Sequence, residues 1–335
     1  GIDSPRPASQ RAPALILTAA MLTTLAAPAF AGTWDIEKGD ITVKAGETGN
    51  DVTQNNETTY GDTGTVITGK SDKNTVTIDA GNDKVEVTLD NVNIKADSGS
   101  ALTSKGDVTL TLKGDNHLTG GNGDTHGGDG ITSSGSLTIS GGTVTATGGN
   151  NTGSDGSGGS GIYSVSGSVT ISGGTVNATG GEGSKNNSTS GGSGIYSVSG
   201  DVTISGGVVN AIGGKGSKNN STSGGSGICI SSSGSVTISG GSTVNANGGN
   251  GGTISGGDGI RSLDHVAISG GTVTANGGDG SSGGDGIRSG DIDLSGSLEL
   301  TAKAGSPNGK ALSQDGNELD LNTIKDKLGP GAKVT

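Results

Sequence analysis

An all-β chain wound as a right-handed parallel β-helix is predicted by three observations. Thirteen residues, GSKNNSTSGGSGI, occupy positions 183–195 and occur again unchanged at 216–228. The dipeptide Gly-Ile recurs at Gly130, Gly161, Gly194, Gly227, Gly259 and Gly286, with weaker forms at Ala101-Leu102 and Ala311-Leu312, at spacings of about 25 to 33 residues. Each unit, such as GIYSVSGSVTISGGTVNATGG from Gly161 to Gly181, holds three short alternating segments broken by glycine, which is the period of strands and not of helices.

The period decides how the composition is understood. With 71 glycines in 335 residues, 27% apolar residues and 1% aromatics, the same mixture without order could not bury enough apolar surface to offset chain entropy. Repeated units escape that limit by stacking, because each buries its apolar face on its neighbours. The expected count is eight to nine coils with Gly-rich corner loops, right-handed by the usual rule for parallel crossovers.

The first segment, residues 1–31, has the form of a signal peptide. Arg6 and Arg11 precede an apolar run from Ala12 to Ala27, and Ala29-Phe30-Ala31 places small residues where a signal peptidase reads them, so cleavage is expected after Ala31. A membrane anchor is the rival, but the run is shorter than the ~20 residues a spanning helix needs, and Pro13 and Pro28 bracket it. The expectation is export to the medium or the cell surface, with no transmembrane span after cleavage.

Residues 32–98 are expected to form an N-terminal cap and the first coils, residues 99–305 the repetitive coils, and residues 306–335 a final coil and C-terminal cap whose charge and Pro330 protect an open sheet edge. Side chains alternate along a strand, so three inward columns follow from the alignment. Leu137, Val169, Val202, Val236 and Val266 make the first, Ile139, Ile171, Ile204, Ile238 and Ile268 the second, and Val144, Val176, Val209, Val244 and Val273 the third. Glycine pairs such as Gly173-Gly174 are expected at the corners, where positive φ is needed. Length varies between the third strand and the next Gly-Ile, the face where insertions collect, and the composition of the duplicated loop there suits a mobile or adaptable loop.

VEVTLDNVNIKADSGSALTSKGDVTLTLKGDNHLTGG, from Val85 to Gly121, followed by SGSLTISGGTVTATGG and its repeats, resembles a family of secreted bacterial carbohydrate-binding-domain proteins over roughly residues 60 to 305. The resemblance implies a right-handed parallel β-helix like that of pectate lyases, with binding of polygalacturonate in the presence of calcium and an association with cell surfaces. It carries no residue-level binding motif onto this chain.

Candidate sites come from the outward positions. Immediately after each Gly-Ile start lies a row of Thr132, Tyr163, Tyr196, Cys229, Arg261 and Arg288. Tyr163 and Tyr196 could offer a sugar ring a flat surface, and Arg261 and Arg288 could take uronate carboxylates in bidentate fashion; the alternative is an exposed position that tolerates large residues. At the loop exits stand Asp129, Ser160, Ser193, Ser226, Asp258 and Asp285, with Asp124 and Asp279 inside the loops. Asp124, Asp129, Asp258, Asp279 and Asp285, with loop carbonyls, could hold calcium, which would also bridge an acidic protein to an acidic glycan. The alternative is solvated aspartate at turns that favour it.

Other functions are weaker. A net charge of −12 and no basic stripe argue against nucleic acid, and a lone Cys229 excludes an internal disulfide framework. GGNGD at 120–124 lacks the offset of a nonapeptide calcium repeat, the sequons at Asn187 and Asn220 lie in Asn/Ser/Thr-rich loops, and outward threonine pairs of the ice-binding kind are interrupted at Asn177, Val208 and Asn210. His117, His126 and His265 fall at different phases of the unit, so no catalytic group is assigned. The expected function is an exported, non-catalytic carbohydrate-binding β-helix for an acidic polysaccharide such as a polyuronate, against a structural or adhesive surface repeat protein and, third, a polysaccharide lyase.

Overall fold

The computed structural model describes residues 30–184, 187–217 and 220–335. Most of the expected signal segment, residues 1–29, lies outside the described residues. Its last two residues, Phe30 and Ala31, run beside the N-terminal cap, where Thr63 donates its amide to the Phe30 carbonyl at 2.7 Å.

The chain is a right-handed parallel β-helix. A typical coil has three strands, Ile162–Ser166, Val169–Ile171 and Thr175–Thr179, and the next coil repeats them at Ile195–Ser199, Val202–Ile204 and Val208–Ile212. Pairing is parallel and in register, Ile162 on Ile195, Val169 on Val202 and Val176 on Val209. The Gly-Ile column runs unbroken through Ile41, Val76, Leu102, Ile131, Ile162, Ile195, Ile228, Ile260, Ile287 and Leu312, which makes about nine coils. All three predicted inward columns are present, and they form one continuous core from Ile36 to Ile324. Nearer the N-terminus two coils are drawn as single long strands, Val76–Asp90 and Leu102–Thr119, turning at Gly81 and Gly106 with positive φ.

A fourth inward column is polar. Ser104, Ser133, Ser164 and Ser197 stack in register and are fully buried. Ser164 and Ser197 donate to the carbonyls of Gly167 and Gly200 at the following corner, at 2.8 and 2.9 Å. The same column holds Ser104, whose buried hydroxyl has no hydrogen-bond partner, and is continued by Ile230, so the position accepts either a hydroxyl or an aliphatic side chain.

Both ends are closed. At the start an antiparallel ribbon, Ile41–Ala45 with Asn50–Gln54 and Glu57–Asp62, covers the first coil. Buried Asp62 ties it down by accepting from the Gly32 amide and Trp34 Nε1, both at 2.9 Å. At the far end Asn317–Glu318 folds antiparallel onto Leu312–Gln314, and the Glu318 carboxylate accepts from the amides of Ala311 and Leu312.

The glycines divide into two groups with different physical reasons. At the corner pairs only one member takes positive φ, for example Gly174 at +78°, whereas its partner Gly173 has open space around it.

The larger group sits at the base of the inserted loops. The amide of Gly181 donates to Gly159, Gly192 to Gly181, Gly214 to Gly192, Gly225 to Gly214 and Gly249 to Gly225, all between 2.7 and 2.9 Å. Each returning arm thus lies between the outgoing arm of its own coil and that of the next. The spine continues through Gly257, Gly278 and Gly284 to Gly305. A Cβ at Gly181 would lie 1.9 Å from the Gly149 carbonyl oxygen, and one at Gly192 2.0 Å from that of Gly159, without positive φ at either residue. Glycine is needed here because backbones approach too closely for any side chain.

Beyond this base the described loop residues make specific contacts. Thr189 and Thr222 are fully buried inside the two copies, the Thr189 hydroxyl accepting from the Ser184 amide and the Thr222 hydroxyl donating to the Ser217 carbonyl at 2.7 Å. Successive loops also stack, the Gly183 amide donating to Lys215 and the Gly216 amide to Asn250, at 2.8 and 2.9 Å.

Candidate ligand-binding ladder

The outward row is one continuous ladder. Thr132 pairs with Tyr163, Tyr163 with Tyr196, Tyr196 with Cys229, Cys229 with Arg261, Arg261 with Arg288 and Arg288 with Ser313. Alternation dictates this, since each follows an inward isoleucine or leucine by one residue. Tyr163, Tyr196, Arg261 and Arg288 are thereby brought onto one side of the solenoid in successive coils.

The tyrosines are stacked, with ring centroids 5.2 Å apart and planes 2° apart. One face of each ring is covered by the other, so the pair does not offer the shared flat platform that the sequence suggested. Its free faces look along the ladder, toward the Thr132 rung on one side and the Cys229 rung on the other. Burial, then the neighbouring Tyr196 and Asp129, pushes the Tyr163 hydroxyl up. Cys229, an outward position in the pattern, is 7% exposed, and burial raises its thiol to about 11.

Arg261 and Arg288 are exposed and occupy adjacent rungs. They border an open groove lined also by Ser262, Leu263, Ser289, Gly290, Asp315 and Gly316. Leu263, 61% exposed, follows directly after the strand Ile260–Ser262 that carries Arg261. Sequence reasoning missed these partners. Leu263 lies just past a strand end, where alternation no longer fixes direction, and Asp315 and Gly316 belong to the cap, where the repeat has faded and no alignment points to them.

The five aspartates nominated for calcium are dispersed. Asp258 and Asp285 stand one coil apart, and Asp129 is separated from them by the rungs of Ser160, Ser193 and Ser226. Four of the five carry a structural hydrogen bond to the following coil. Asp129 Oδ1 accepts from the Ser160 amide at 2.8 Å, Asp258 Oδ1 from Asp285 at 2.7 Å, Asp285 Oδ1 from Lys310 at 2.8 Å, and Asp279 Oδ1 from Ser306 at 2.8 Å. Burial raises Asp129 and Asp258 above the ordinary carboxylate value; for Asp258 the Asp285 amide and the two arginines oppose it. Among the described residues no group of three or more His, Cys, Asp or Glu converges as metal ligands. The arrangement can join coils, with any cation completed by carbonyl oxygens.

The histidines remain apart, as their phases implied. His117 Nε2 meets Asp115 Oδ2 at 3.1 Å on the third-strand face, and His265 Nδ1 meets Asp291 Oδ2 at 2.8 Å at the start of a second strand. The outward face of the third strands carries an amide ladder instead, Asn245 donating to Asn210 and Asn210 to Asn177, each at 2.8 Å.

A family model described as a beta helix repeat matches residues 137–162 and 266–285, the first of which runs from one second strand to the next Gly-Ile start. No curated protein and no solved structure matches the chain. Over these residues the chain is similar to that repeat, which corresponds to the coil, and its fold is a parallel β-helix.

Proposed function

We propose that the protein is an exported, non-catalytic carbohydrate-binding β-helix whose ladder of Tyr163, Tyr196, Arg261 and Arg288 receives a polysaccharide lying along the solenoid axis. What carries this reading is the register: four side chains with affinity for sugars and their acidic substituents fall on one outward ladder in neighbouring coils. Rungs repeat at ~4.8 Å, close to the length of one pyranose unit, so successive sugars meet successive coils. The outward edges and hydroxyls of the stacked tyrosines suit sugar hydroxyl and C–H groups, and guanidinium groups suit carboxylates.

The test is retention of the purified protein on insoluble polygalacturonate, with calcium and then with chelator, beside neutral polysaccharides. Retention that falls when Tyr163 and Tyr196 are both replaced by alanine supports the reading. Retention on no glycan under any condition overturns it, and release of an unsaturated, ultraviolet-absorbing product would move the protein to the lyases.

A further inference from the structure

We infer that Arg261 and Arg288 form an oxyanion subsite that takes a carboxylate or sulfate substituent of the glycan directly, without a bridging divalent cation. The inference rests on the carbohydrate-binding reading and names the ligand chemistry of one end of that ladder.

Residue choice is the first support. The sequence has arginine at positions 6, 11, 261 and 288 and lysine at every other basic position, so the only two arginines among the described residues stand on adjacent rungs. A planar guanidinium offers paired donors that match a planar oxyanion, which a lysine ammonium does not.

Their surroundings are the second. Neither guanidinium makes a hydrogen bond or an ion pair with a described residue, although the chain has a net charge of −12 and 32 carboxylates. Asp258 is the acidic neighbour that both arginines influence, but its Oδ1 is occupied by the Asp285 amide, and Asp285 in turn accepts from the Lys310 amide. Asp315 lines the far side of the groove. Two like charges held about one strand spacing apart repel each other, and an oxyanion between them relieves that repulsion. Leu263 beside Arg261 supplies an apolar edge for the sugar ring that carries the substituent.

These features also remove the need for a cation here. An acidic protein repels a polyuronate at long range, but screening confines that effect to about 8–10 Å, and the ladder presents positive charge at the contact itself.

The experiment is a titration of the full chain with tetragalacturonate, its methyl ester and a sulfated neutral tetrasaccharide, each in chelator and in calcium. The variants are Arg261→Lys/Arg288→Lys and Arg261→Ala/Arg288→Ala, both at exposed positions, with circular dichroism to verify the fold. In chelator the acid is expected to bind about tenfold tighter than its ester, a difference reduced in the lysine variant and abolished in the alanine variant. Whichever of the carboxylated and sulfated probes binds more tightly identifies the substituent. Binding of acid and ester alike, binding of the acid only with calcium, or unchanged binding by the alanine variant overturns the subsite while leaving the carbohydrate reading intact. Inorganic sulfate and acetate are titrated as controls, and Arg-dependent binding of these ions with no binding of any oligosaccharide overturns the carbohydrate reading and leaves the subsite standing.

Discussion

Gly192 donates its amide to the carbonyl of Gly181 at 2.8 Å across the base of a single loop. The loop arms are therefore backbone layers inserted into the stack, and the glycine content measures their density. Adding one methyl group at Gly192 would bring it to 2.0 Å from the Gly159 carbonyl oxygen, whereas at Gly173 nothing lies within 4 Å. Gly192→Ala is expected to destabilise by about 3 kcal/mol or more, since two chains must move apart, and Gly173→Ala by less than about 0.5 kcal/mol. Urea denaturation compares them, and equal midpoints would disprove the layered base.

The described loop contacts make a second prediction at a residue that composition would pass over. Thr222 donates to the Ser217 carbonyl at 2.7 Å and accepts from the Gly252 amide of the next coil at 3.0 Å, while Ser221 beside it is exposed. Thr222→Ala should cost about 1 kcal/mol, because it removes the side-chain hydrogen bonds of a fully buried hydroxyl while the Gly252 amide keeps the Thr222 backbone carbonyl, and Ser221→Ala should cost nothing measurable. Thermal unfolding of the pair decides whether the duplicated segment is part of the folded solenoid.

What was legible in the sequence was whatever repeats. Ile171 and its stacked equivalents share one phase in every unit, and alternation then fixes both the core and the outward position of Tyr163 and Arg261. The inward serines were harder to see because Ser164 looks like any surface serine until the corner carbonyl that it bonds is in place. The glycine spine was hidden for another reason. Close approach between Gly181 and Gly149 is a contact between coils, and glycine reads the same whether it supplies positive φ, flexibility or room. At the candidate site, alignment gave the positions of both tyrosines but not their stacking. It could not give Asp315, which reaches the arginine groove from a cap outside the period.

Cys229 offers a chemical check on the ladder. Burial lifts its thiol to about 11, with Arg261 opposing and Asp258 adding to the shift. At pH 8 the thiolate fraction would be on the order of one in a thousand, and access is also blocked. The folded protein is expected to react with iodoacetamide at least about a hundredfold more slowly than the same chain in denaturant. Comparable rates in the two states, followed by mass spectrometry, would mean that Tyr196 and Arg261 do not cover the rung between them.

Asp258 links the stacking of coils to pH. Burial raises its folded pKa above the ordinary value of 3.8, so the folded state holds the proton more tightly than the unfolded chain does. The sign follows: its stabilising contribution is full below the ordinary value and is lost as pH rises through the raised folded value. Asp258→Asn stays neutral at every pH, and its side-chain oxygen can still accept from the Asp285 amide. That variant should match the parent in acid, exceed it in stability at pH 7 and show a flatter profile between them. Asp258→Ala loses the hydrogen bond and should fall below the asparagine variant by about 1 kcal/mol across the range. Melting temperatures of the three proteins from pH 4 to pH 8 test this. If Asp258→Asn were the less stable at pH 7, attraction to Arg261 and Arg288 would outweigh burial, and the arginine pair would be held by Asp258 instead of being free for a ligand.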